Sequence, residues 1–86
     1  MAKIEIYTKA FCGYCARAKA LLDRKGAAYR EIDVTMDRAG FDAMVARAGG
    51  GRTVPQIFID DRPIGGSDAL AAIEAKGELD ALLKAD

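Results

Sequence analysis

Apolar and polar residues alternate over Ile4–Thr8, with Ile4, Ile6 and Thr8 on one side and Tyr7 between them, the period-2 signature of a strand. Residues 16–25 are then rich in helix formers, and Cys15, Ala18, Leu21 and Leu22 recur at helical spacing, which predicts a helix stopped at Gly26. Alternation returns over residues 29–34, a second strand. Asp37 is placed to open a second helix whose apolar stripe is Phe41, Met44, Val45 and Ala48, ended by Gly49-Gly50-Gly51. Gln56–Ile59 and residues 62–64 read as two strands about a turn at Asp60-Asp61. Ser67-Asp68 is expected to cap a helix carrying Leu70 and Ile73, and Gly77 separates a last short helix with Leu79, Leu82 and Leu83.

A strand, helix and strand in succession imply a parallel pair with a right-handed crossover, and the strands at hairpin spacing imply an antiparallel pair. The expected class is therefore α/β, a four-stranded mixed sheet flanked by helices in the thioredoxin-like arrangement. With 86 residues the chain has room for one core, so residues 1–86 are expected to form a single domain. Its 51% hydrophobic and 30% charged residues exclude a disordered chain.

Thirteen basic residues against thirteen acidic ones leave no net charge, which argues against a nucleic-acid partner. Histidine is absent, which removes the usual catalytic base, the protease triads and most catalytic zinc sites. The first residues lack the apolar run of a signal peptide, and no stretch approaches the roughly 20 apolar residues that span a bilayer. A cytoplasmic protein with no membrane partner is expected, in a compartment that keeps thiols reduced.

That expectation gives weight to Cys12-Gly13-Tyr14-Cys15, which holds both cysteines of the chain between a predicted strand and a predicted helix. With Cys12 at the helix N-terminus and Cys15 one turn later, the sulfurs can meet and close a small disulfide ring. Unpaired N–H groups and the positive end of the helix dipole favour a thiolate at Cys12, and Lys9 adds a positive charge nearby. Cys15, on the apolar face, is the natural resolving thiol. Zinc would need further ligands, and the chain has no other Cys or His. In a thioredoxin-like fold the loop before Pro55 lies opposite the cysteines, and a cis Val54–Pro55 bond there exposes the backbone of Val54 to an extended peptide. Gly65-Gly66-Ser67-Asp68 marks a tight turn into a helix, whose free N–H groups suit a carboxylate.

Lys9, Cys12-Gly13-Tyr14-Cys15, Thr53-Val54-Pro55-Gln56 and Gly65-Gly66-Ser67-Asp68, in this order and at these separations, resemble the motifs of the glutaredoxins, and the resemblance runs from Lys3 to Leu83. It implies a glutathione-dependent thiol–disulfide oxidoreductase acting on oxidised or glutathionylated proteins. Cys12 would hold the mixed disulfide with glutathione and Tyr14 would line the groove. Thr53 and Val54 would pair with the tripeptide backbone beside Pro55. Gly66, Ser67 and Asp68 would take the γ-glutamyl end, and Lys9 the glycine carboxylate.

The chain departs from the commonest family pattern in having Gly13 where proline is usual. It also has Phe41 or Asp42 where the second helix often carries Arg or Gln beside the glycine carboxylate, leaving Arg38, Arg47 and Arg52 as candidates for that contact. The glycine after the first cysteine opens an alternative: a dimer holding a 2Fe–2S cluster through one thiolate of each chain and two glutathiones. In the oxidoreductase reading the protein is a monomer. A thioredoxin-like donor fed by its own reductase is the remaining possibility, and no Trp precedes Cys12 to favour it.

Overall fold

In the computed structural model, which describes residues 2–84, Ile4–Thr8 forms the inner strand β1. It is followed by α1 (Gly13–Arg24), β2 (Arg30–Asp33), α2 (Arg38–Arg47), β3 (Gln56–Ile59), β4 (Arg62–Gly65), α3 (Ser67–Ala75) and α4 (Leu79–Lys84). The sheet order is β2-β1-β3-β4. β1 runs parallel to β2, with Ile6 opposite Glu31, and antiparallel to β3, with Ile6 opposite Ile57. β3 and β4 form the expected antiparallel hairpin, with a bulge that skips Ile64 between Gly65 and Pro63. The thioredoxin-like architecture is as the order of elements predicts.

Each face of the sheet carries its own core. On one, Ile4, Ile6, Ile57 and Ile59 pack with Ala18, Leu21 and Leu22 of α1, Leu70 of α3 and Leu79 and Leu83 of α4. On the other, Tyr7 and Phe58 meet Val34 and Met44, with Phe41 and Val45 of α2 alongside. Burying a side chain such as Leu22 or Phe58 stabilises the fold by about 1.5–3 kcal/mol. β1 is thus covered on both sides, not on the one face its alternation suggests, because α2 lays a second apolar layer over Tyr7.

Arg47, in the last turn of α2, fastens that layer. Its guanidinium donates to Glu5 Oε1 at 2.8 Å and to the Tyr7 hydroxyl at 3.0 Å, and it lies 4.1 Å over the Phe58 ring. Asp61, itself paired with Lys3 at 2.8 Å, approaches the same guanidinium at 3.3 Å.

α1 begins at Gly13, directly after Cys12 as the motif predicts and three residues before the run of helix formers, because the Cys12 side chain caps it. The start of α3 differs from the sequence reading. The N-cap of α3 is Gly66, which is extended and makes no side-chain capping bond. Ser67 is instead the first helical residue and buried, and Asp68 stands in the first turn, where the helix dipole favours a carboxylate.

Candidate active site

The end of β1 delivers the chain into α1 through Phe11, whose backbone is left-handed (φ 58°) and whose ring is fully exposed. Cys12 follows in an extended conformation, and its sulfur accepts the Cys15 N–H at 3.1 Å. A cysteine therefore fills the role that Ser or Asp usually plays at a helix start, with its sulfur at the positive end of α1. Both thiols are free; Cys12 is half-buried and Cys15 buried. Burial, followed by the neighbouring Cys12 sulfur, pushes the Cys15 thiol up to about 11. The two cysteines are thus unequal: one at the surface on a helix terminus, the other protonated and enclosed.

The loop before β3 closes over this pair. The Val54–Pro55 bond is cis, and the Cys12 thiol lies 3.8 Å from the Val54 carbonyl, in position to donate to it. On one side is a cavity of about 500 Å³ lined by Tyr14, Thr53, Val54, Pro55, Gly66, Ser67, Asp68 and Ala69. Gly65 reaches φ 115°, which a side chain rarely adopts, and a Cβ on Gly66 would stand 3.4 Å from the Pro55 carbonyl. Backbone and loop can therefore approach closely here. The Tyr14 ring is half-exposed at the rim, with the Arg17 guanidinium 5.5 Å from its centre.

Lys9 belongs to a second cavity of about 490 Å³, lined also by Val34, Thr35, Met36, Asp37, Arg38, Phe41 and Arg52. Its ammonium lies 4.6 Å over the Phe41 ring, and the Arg52 guanidinium lies 5.3 Å from the same ring. Of the three candidate arginines, Arg38 is paired with Asp42 at 3.2 Å and Arg47 is held by Glu5 and Tyr7. Arg52 alone shares the Phe41 platform with Lys9. All ten residues singled out from the sequence thus stand at this end of the sheet, nine of them about the Cys12 sulfur and the first cavity and Lys9 in the second. The sequence does not show the platform of Phe41 and Arg52, since cation and ring are eleven residues apart and meet by tertiary packing.

The glutaredoxin family model matches residues 4–64. Glutaredoxin 3 of Escherichia coli is 52% identical over 84 residues, covering 98% of this chain and all of that one. The solution structure of a Brucella melitensis glutaredoxin is 50% identical with a TM-score of 0.84, covering 98% of this chain and 90% of that one. The crystal structure of a buckwheat glutaredoxin–glutathione complex is 34% identical with a TM-score of 0.86, covering 95% of this chain and 76% of that one. The half-buried and buried thiols at the start of α1 fit a thiol–disulfide oxidoreductase, and the chain belongs to the glutaredoxin family.

Proposed function

We propose that this chain, as a single cytoplasmic domain, reduces protein–glutathione mixed disulfides and protein disulfides with electrons from glutathione. The observation that supports this most is the position of Cys12 beside a cavity that ends at a helix N-terminus, together with a second cavity lined by Lys9, Arg38 and Arg52. Glutathione is an extended tripeptide with a central sulfur and a carboxylate at either end. Its γ-glutamyl end would meet Gly66, Ser67 and Asp68, with Asp68 opposite the ammonium. Thr53 and Val54 would pair with its backbone, and Tyr14 would cover it. Lys9, joined by Arg52, would take the glycine carboxylate. The buckwheat relative solved with glutathione adds support from the same fold.

In the reaction, the Cys12 thiolate attacks the glutathione sulfur of a mixed disulfide. The sulfur–sulfur bond breaks, the protein thiolate leaves and takes up a proton, and Cys12 carries glutathione. A second glutathione releases glutathione disulfide, which an NADPH-dependent reductase recycles. When the target is a protein disulfide, Cys12 forms the mixed disulfide and Cys15 attacks Cys12 to release the reduced target. Among the described residues no group of three or more His, Cys, Asp or Glu side chains could hold a metal ion. The iron–sulfur alternative takes one thiolate from each of two chains and two from glutathione, so it requires a second copy of this chain.

The test is NADPH consumption with a small disulfide substrate. Turnover should require glutathione and glutathione reductase, and thioredoxin reductase should not replace them. Turnover with thioredoxin reductase in the absence of glutathione would overturn the reading.

A further inference from the structure

The dithiol cycle proposed above requires Cys15 to attack as a thiolate from a site only 2% exposed. Burial opposes that ionisation, and so does the Cys12 sulfur. Once Cys12 is tied up in a mixed disulfide its share of the opposition is gone, and burial remains. Two groups favour the Cys15 thiolate: the Lys9 backbone N–H directed at its sulfur, and the positive charge of Lys19.

Lys19 is four residues after Cys15 on α1, on the same face, and a long helical side chain leans back over the preceding turn. Its ammonium is held in place. It binds Glu31 Oε2 at 3.1 Å, and the same oxygen accepts the Thr8 hydroxyl at 2.7 Å. Thr8 is 1% exposed at the end of β1, so the row Thr8, Glu31, Lys19 is anchored in the fold at its inner end. The Thr8 hydroxyl, with Lys19, holds the Glu31 carboxyl below the usual carboxylate range, so it keeps its charge and its grip through neutral pH. The titratable and charged groups about Cys15 are then Cys12 at the helix cap, Lys19 on α1 and Glu31 on β2. Tyr29 is a further titratable group near Lys19.

We propose that Lys19, pinned by Glu31 and Thr8, is a positioning residue for the resolving half of the cycle, its ammonium favouring the Cys15 thiolate that attacks the Cys12 mixed disulfide. Cys15 loses its proton to solvent and its sulfur bonds to the Cys12 sulfur. The bond from Cys12 to the target breaks, and the target sulfur leaves with the electron pair. The cysteine pair is oxidised to a disulfide as the target is reduced. The inference rests on the assignment of Cys15 as resolving thiol made above.

The experiment is stopped-flow reaction of the reduced protein with the aromatic disulfide dithiobis-nitrobenzoate. Attack by Cys12 releases one thionitrobenzoate, and resolution by Cys15 releases the second. At neutral pH, Lys19→Gln should slow the second release three- to tenfold relative to the first and move its pH profile upward, the size of a coulombic interaction up to about 1.4 kcal/mol. Lys19→Arg should restore both rate and profile. A second release whose rate and pH profile in Lys19→Gln match the wild type would overturn the role of Lys19, as would an equal slowing of both releases. If the wild type released only one thionitrobenzoate, or Cys15→Ser still released two, the assignment of the resolving thiol would fail instead.

Discussion

Replacing Gly13 by proline should stabilise the reduced protein, and the expected gain can be worked out from the helix start. Gly13 is the first residue of α1, the position where proline is best tolerated because its N–H makes no intrahelical bond. A Cβ built there meets nothing within 4 Å. The preceding residue, Cys12, has φ −108° and ψ 106°, extended and at the edge of the range that a following proline enforces. A Cβ thus finds open space and no helix bond is removed, while the substitution narrows the unfolded chain twice, by loss of glycine and by closure of the proline ring. Each change contributes about 0.4–1 kcal/mol, so about 1–2 kcal/mol is expected. For a chain of this size 1 kcal/mol shifts the melting temperature by about 4–8 °C. Thermal unfolding of the reduced proteins, followed by circular dichroism, should show Gly13→Pro above wild type by at least about 4 °C, with Gly13→Ala between them. A melting temperature at or below wild type would refute the reasoning. It would mean that the Gly13 N–H makes a bond the native turn depends on, such as one to the Cys12 sulfur.

Arg47→Ala should cost about 2–3 kcal/mol in urea denaturation, because it leaves Glu5, with 12% of its side chain exposed, charged and unpartnered under α2. Adding Glu5→Gln should recover part of that loss, and a double variant less stable than Arg47→Ala alone would contradict the pairing. Glu31→Gln should destabilise the protein at neutral pH, where the Thr8 hydroxyl and Lys19 stabilise the carboxylate. Since the folded Glu31 titrates below an ordinary glutamate, its contribution is full above the ordinary range and is lost as pH falls through the lowered value. The stability difference between wild type and Glu31→Gln should accordingly shrink in acid, and a difference that grows on acidification would reverse the assigned sign.

Much of this structure is legible in local pattern. The strands, the two cysteines at the head of α1 and the apolar stripe Cys15, Ala18, Leu21 and Leu22 depend on neighbours within a few residues, and they appear where the spacing places them. The start of α1 is legible from the cysteine spacing and not from propensity, because glycine and tyrosine are weak helix formers. At α3 the residue type misleads: Ser67 is a common capping residue, but Gly66 takes the extended backbone and Ser67 turns into the core. What the sequence hides altogether is long-range. Arg47 reads as a candidate for the glycine carboxylate until β1 brings Glu5 and Tyr7 under it, forty or more residues away in the chain. For Arg52 and Lys9 the sequence suggests a shared role, but not the Phe41 ring on which both lie.

The central claim is that Cys12 alone carries glutathione, and mass spectrometry of the glutathionylated protein tests it most directly. Cys15→Ser, incubated with glutathione disulfide, should gain a single glutathione located by peptide mapping on Cys12, and should still reduce a glutathionylated peptide. Cys12→Ser should neither form a comparable adduct nor turn over. Glutathione found on Cys15, or reduction of the mixed disulfide that survives in Cys12→Ser, would contradict the account.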